Sequence, residues 1–165
     1  MTKEEAIIQD WIATLQTINP LNEYAAGKNY LTDIGDNVEY WLTIPEPDEE
    51  IKQLVIEDRI CEGEEISDPT AAHYQVLELI NTVYYPDGAD TATRQGEAKA
   101  DIIRCIGANW QNFLNKYKDV VIKNISTEKN VIETSKTIGG IKIIVKIRFG
   151  TEPFLIGEQE YTAGF

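Results

Sequence analysis

The stretch from Tyr74 to Tyr117 constrains the fold most. It opens with Tyr74-Gln75-Val76-Leu77-Glu78-Leu79-Ile80-Asn81-Thr82-Val83-Tyr84-Tyr85, the longest strand-like run in the chain. Val76, Glu78, Ile80 and Thr82 share one parity, and Leu77, Leu79, Asn81 and Val83 share the other. Neither side is cleanly polar, which predicts a central strand covered on both faces at its middle. Pro86-Asp87-Gly88 breaks the run, and one strongly patterned helix follows to about Tyr117. Thr91 or Thr93 is placed to cap it. Ala98, Ile102, Ile103, Ile106, Trp110, Phe113, Leu114 and Tyr117 give it a broad apolar face. Lys99, Asp101, Arg104 and Asn112 fall mainly on the other side. Gly107 costs about 1 kcal/mol against alanine inside a helix, so it reads as a close approach of helix to sheet.

Before this core, Thr2 and Glu5 have the spacing of a capping box. Ile7, Ile8, Trp11, Ile12, Leu15 and Ile18 then recur at helical spacing until Asn19-Pro20. Trp11 reads as core. Residues 19–37 are rich in turn formers and predict a long irregular link, with Tyr24, Tyr30, Leu31 and Ile34 available to pin it. Val38 to Ile44 is a strand. Pro45-Glu46-Pro47-Asp48-Glu49-Glu50 is a loop, since two prolines so close cannot both enter a ladder. Val55 to Ile60 is a second strand, able to pair with the first as a hairpin.

After the helix, Val120-Val121-Ile122 starts a strand, with a kink expected at Ser126-Thr127-Glu128 and resumption over 130–134. Gly139-Gly140 signals a turn. Ile141 to Phe149 alternates, with Lys146 and Arg148 facing one way and Val145, Ile147 and Phe149 the other. Residues 150–165 read as a loose tail. The order α-β-β-β-α-β-β predicts the α+β class, a mixed or antiparallel sheet with helices packed on it. At 165 residues a single domain spanning 1–165 is expected, with a helix over 1–18, the link over 19–37 and the sheet and second helix over 38–149.

Charge is the unusual total. Residues 1–90 hold 4 Lys/Arg and 20 Asp/Glu, so 4 − 20 = −16; residues 91–165 hold 11 and 8, so 11 − 8 = +3. The first half repels phosphate, which argues against ordinary nucleic-acid binding. The contrast admits a solvated surface, an acidic face, or head-to-tail assembly of acidic against basic surface. Cys61 and Cys105 have no metal-ligand spacing and fit a reducing compartment. Cys105, within the helical pattern, reads as a small buried hydrophobe. No apolar run approaches a membrane span, and no signal peptide is evident.

Catalytic chemistry is hard to assemble from these residues. His73 is the only histidine, and no GxGxxG, P-loop or GxSxG occurs. Asp33, Asp36, Asp48, Glu49, Glu50, Glu57 and Asp58 offer hard oxygen ligands, but Asp33-Ile34-Gly35-Asp36-Asn37 lacks the order of a calcium loop. The expectation is no enzyme, no cofactor and no metal site. The better signal is a set of aromatics near strand ends, namely Tyr40, Trp41, Tyr84, Tyr85, Phe154 and Tyr161, which either finish the core or serve an interface. With Glu46, Asp48, Glu49 and Glu50 of the acidic loop, and Lys129 and Lys136 of the later 126–140 region, all but Tyr161 make the candidate interface set.

The element order carries a resemblance. The leading helix through Ile7, Trp11 and Leu15 is followed by a strand ending in Thr43-Ile44-Pro45-Glu46-Pro47-Asp48-Glu49-Glu50, then Leu54-Val55-Ile56-Glu57-Asp58-Arg59, the long strand, the Ile103–Leu114 helix and two closing strands. In this the chain resembles the tail-terminator, or tail-completion, proteins of long-tailed bacteriophages, and related neck and tail-joining proteins share the pattern. The resemblance implies a virion structural protein that self-associates into a ring, caps the tail tube and joins it to the head connector. It implies other tail and neck proteins as partners, DNA that passes without specific binding, no membrane, and a place in the virion tail or neck after assembly in the host cytoplasm. The long link and the extended tail depart from the simplest pattern. An acidic inhibitor or immunity protein, binding a basic or nucleic-acid-binding partner, is the alternative that the charge supports, and a metal-dependent hydrolase using the acidic loops is a third.

Overall fold

A computed structural model of the chain describes residues 1–40, 54–63, 73–86, 90–132, 138–151 and 160–165, with the backbone alone described at 59–63, 86, 130–132, 138–139 and 151. The elements are α1 (Lys3–Leu15), β1 (Glu23–Ala25), β2 (Lys28–Asn29), a 3-10 turn (Ile34–Asn37), β3 (Val38–Tyr40), β4 (Leu54–Gly63), β5 (His73–Pro86), α2 (Thr91–Tyr117), β6 (Val121–Ile132) and β7 (Ile138–Thr151). The chain is α+β in the expected order, with the small β1–β2 hairpin added. The main sheet has five strands in the order β3-β4-β5-β7-β6.

Both helices lie on one face of this sheet, and the alternation along the strands explains why. Leu54 and Ile56 of β4, Leu77, Leu79, Val83 and Tyr85 of β5, and Ile141, Ile143, Val145, Ile147 and Phe149 of β7 share one parity. They form one buried cluster with Ile7, Trp11 and Leu15 of α1 and Ile102, Cys105, Ile106 and Phe113 of α2. The alternate residues of β7, from Lys142 to Arg148, are half-buried on the opposite face. Strand β5 is central as expected, and on this second face its Ile80, Thr82 and Tyr84 are also buried.

Thr2 and Glu5 close the capping box on α1, so the first turn's orphan amides are satisfied locally. The cap of α2 differs from expectation. Thr91 is its first residue, and the N-cap is Asp90, whose side chain makes no capping bond.

Strands β3 and β4 do not form a hairpin. They pair parallel, Val38 with Leu54 and Tyr40 with Ile56. A parallel pair needs a return of about a dozen residues, and the chain between them is long enough for one. Strand β6 runs without a kink at 126–128, its irregularity falling between Ile122 and Asn124. Gly139 and Gly140 are not a turn. They lie inside β7 opposite Tyr85 and Tyr84, where glycine sets no side chain across from either ring.

The link over 19–37 is less irregular than its composition implies, and its anchor is a buried acid. Asp101, expected on the exposed side of α2, is fully buried. Its Oδ2 accepts from the backbone amides of Leu31 (2.8 Å) and Thr32 (2.7 Å) and from the Thr32 hydroxyl (2.9 Å). Tyr30 and Ile34 are buried as expected pins, whereas Leu31 and, on α2, Ile103 are exposed. The close approach expected at Gly107 occurs instead at Gly35. A Cβ on Gly107 meets nothing within 4 Å, while one on Gly35 meets the Ile18 carbonyl oxygen at 2.5 Å.

Candidate interaction surface

Three regions carry polar and aromatic groups outside or at the margin of the helix–sheet core. The first is the pair of sheet edges. Strand β6 closes one end of the sheet, and from Asn124 onward it pairs with β7 in unbroken register. Among its described side chains only Ile122 and Ser126 are half-buried, and the rest are exposed, Val121 at 42% and Ile125 at 39%. Among the described residues no further strand pairs with β6, and a strand exposed on both faces at a sheet edge presents a row of backbone groups that can template another strand. Lys123 and the irregularity beside it blunt only its start. At the opposite end lies β3, where Tyr40 is 40% exposed and donates its hydroxyl to Asp58. Burial first, and then Asp58, raise that phenol above its ordinary ionisation range.

The second region is the face of the sheet opposite the described helices. Oε1 of Glu57, the Thr82 hydroxyl and the Tyr84 hydroxyl are buried there without a hydrogen-bond partner. Burial and the Glu57 charge raise the Tyr84 phenol, while the neighbouring Thr82 acts the other way. The third region is the outer side of the helices. Asp10, fully buried in α1, accepts from the Tyr117 hydroxyl (2.6 Å), from Lys116 Nζ (2.6 Å) and from the Gly164 amide (2.8 Å). Lys116 also donates to the carbonyls of Thr162 and Gly164, and the Phe165 ring meets Phe113 edge-on at 4.9 Å. Residues 160–165 are therefore strapped across the helices and 150–151 end β7, unlike the loose tail expected there, while residues 152–159 of that expected tail lie outside the described residues.

Of the expected interface residues, Tyr40 and Lys129 are exposed at opposite edges of the sheet. Tyr84 and Tyr85 are buried, 4% and 5% exposed, so neither ring is presented on the surface of the single chain. β5 is covered at both neighbours and its two terminal tyrosines finish the two sides of the sheet. Trp41, Glu46, Asp48, Glu49, Glu50, Lys136 and Phe154 lie outside the described residues, as does the Pro45–Glu50 loop. Asp10, Asp101 and Asn81 were not singled out by sequence. Asn81 is fully buried on the helix face of β5, accepts from the Trp11 indole (2.8 Å) and donates to the Ile143 carbonyl (2.9 Å). A polar residue at a core parity is the signal that could have found it.

A shallow cleft of about 440 Å³ lies between the link and α2, lined by Thr17, Asn22, Glu23, Tyr24, Tyr30, Ala108 and Asn109. Cys105 behind it is fully buried and donates to the Thr14 carbonyl at 3.2 Å. Burial raises its thiol, which disfavours the nucleophilic thiolate. Among the described residues no group of three or more His, Cys, Asp and Glu is placed to hold a metal, and no described helix is long and apolar enough to cross a membrane. No family model matches the chain, and no curated protein matches it.

Proposed function

We propose that the chain is a phage or prophage virion structural protein that self-associates and caps the tail tube or joins it to the head connector. The observation that carries this reading is the sheet of the described residues: five strands, the two described helices on one face, and a long edge strand exposed on both sides. Such a sheet supplies two different edges, which is what a heterologous contact between identical copies requires. The expected element order supports the same reading. The acidic first half keeps phosphate from adhering to a ring through which DNA passes, within a screening length of about 8 Å at physiological salt. The partners are then further copies of the chain and other tail and neck proteins.

Adding the purified protein to polymerising tail tubes tests this. Tubes of limited length with a ring of density at one end, seen by electron microscopy, are the expected result. Tubes that lengthen unaffected, with the protein remaining monomeric, overturn it. A one-to-one, salt-sensitive complex with a basic protein favours the inhibitor alternative instead.

A further inference from the structure

We propose that β6 of one copy adds antiparallel to β3 of the next, in the register that sets Ile125 opposite Tyr40. The proposal rests on the self-association put forward above and names the surface that performs it. Strand directions come first. β3 is parallel to β4, and each following neighbour, β5, β7 and β6, reverses direction. β6 therefore runs opposite to β3. Two copies in the same orientation, side by side along the sheet, bring these two edges together antiparallel and keep all the helices on one side. One sheet then runs from subunit to subunit.

Faces and charges select the register. Ile125, Thr127 and Lys129 pair with Val145, Ile143 and Ile141 and so lie on the helix side of β6. Val38 and Tyr40 pair with Leu54 and Ile56 and lie on the helix side of β3. Ile125 and Tyr40 are the exposed large apolar residues of these two edges on that side, and an aliphatic–aromatic cross-strand pair stabilises an antiparallel ladder. With Ile125 opposite Tyr40, Ser126 faces Glu39 and Thr127 faces Val38, and Lys129 lies past the end of β3, toward the 3-10 turn that carries Asp36. No like charges meet. Pairing β6 with itself over its regular stretch, 124–132, is centred on Glu128 and sets that carboxylate against its own copy, which is unfavourable. The charge of the two halves, −16 with β3 and +3 with β6, favours the head-to-tail choice.

Cysteine cross-linking in a Cys61→Ser background, with Cys105 buried, tests the contact in free protein at high concentration and on purified tail tubes. A chain carrying both Tyr40→Cys and Ile125→Cys is expected to give a ladder of covalent oligomers under mild oxidation. Chains carrying one of the two cross-link only when mixed. Cross-linking of Ile125→Cys chains alone overturns the proposal, because β6 then meets β6. Lack of any cross-link, with or without oligomers, overturns it as well. Lys129→Glu changes an exposed side chain and is expected to weaken assembly about tenfold while leaving the melting temperature of the monomer unchanged; unweakened assembly counts against the register. Rings that cap tubes without these cross-links leave the proposed function standing and remove the contact. Cross-linked ladders that never arrest tubes do the reverse.

Discussion

Asp10 shows how much one buried carboxylate can organise. It holds Tyr117 and Lys116 of α2 and the Gly164 amide at once. Removing one partner of a buried ion pair leaves an uncompensated charge and costs about 3–5 kcal/mol. Asp10→Ala is therefore expected to lower stability by about that much and to free residues 160–165, read as faster trimming by carboxypeptidase. The tyrosines set a second expectation. Tyr30, Tyr40, Tyr84, Tyr85 and Tyr117 are all raised, each first by burial, and Tyr85 is pushed up to about 12. A raised phenol keeps its proton longer in the folded state than in the unfolded chain. That stability is complete below the ordinary phenol value of about 10 and is lost as pH rises through the folded values. Melting temperature should fall steeply above about pH 10, together with late appearance of phenolate absorbance. Normal ionisation of all eight tyrosines in the folded protein is the contrary result.

At the scale of elements, two glycines that look alike in sequence have opposite roles. Gly107 faces open space, so Gly107→Ala is expected to stabilise α2 by about 1 kcal/mol. Gly35 donates its amide to the Ile18 carbonyl at 2.9 Å and packs against the backbone that ends α1. Gly35→Ala forces that backbone to move and is expected to cost about 1–3 kcal/mol. Thermal or denaturant melting of both variants checks the pair. The helices and the alternating strands were legible because their periods of 3.6 and 2 are local properties of the chain. The β3–β4 pairing was not. Residues 38–60 read the same whether the second strand returns beside the first or after a crossover, and the hydrogen-bond partners decide it. The strap at 160–165 was equally silent, since its anchor, Asp10, lies at the other end of the chain.

For the whole molecule, the candidate site is a relation between two ends of a sheet. If β6 and β3 meet with the basic half of one copy against the acidic half of the next, assembly should weaken as salt rises toward about 1 M, where the screening length falls to about 3 Å. Sedimentation velocity across a salt series checks this, and assembly that strengthens with salt counts against a charge contribution to the contact. Lys129 and Tyr40 could be singled out from sequence as exposed types near strand ends. That they lie on the same face at opposite edges could not, because it depends on the strand order β3-β4-β5-β7-β6. The α+β class, the two amphipathic helices, the inward and outward sides of β7 and the unequal charge of the halves were all readable in advance, because they follow from local periodicity and composition. Long-range contacts set which acids are buried, the parallel pairing of β3 with β4, the strap of residues 160–165 over the helices and, among the described residues, the place of β6 at a sheet edge. Those depend on contacts between residues far apart in the chain, where each partner's pattern is compatible with several neighbours and close packing selects one.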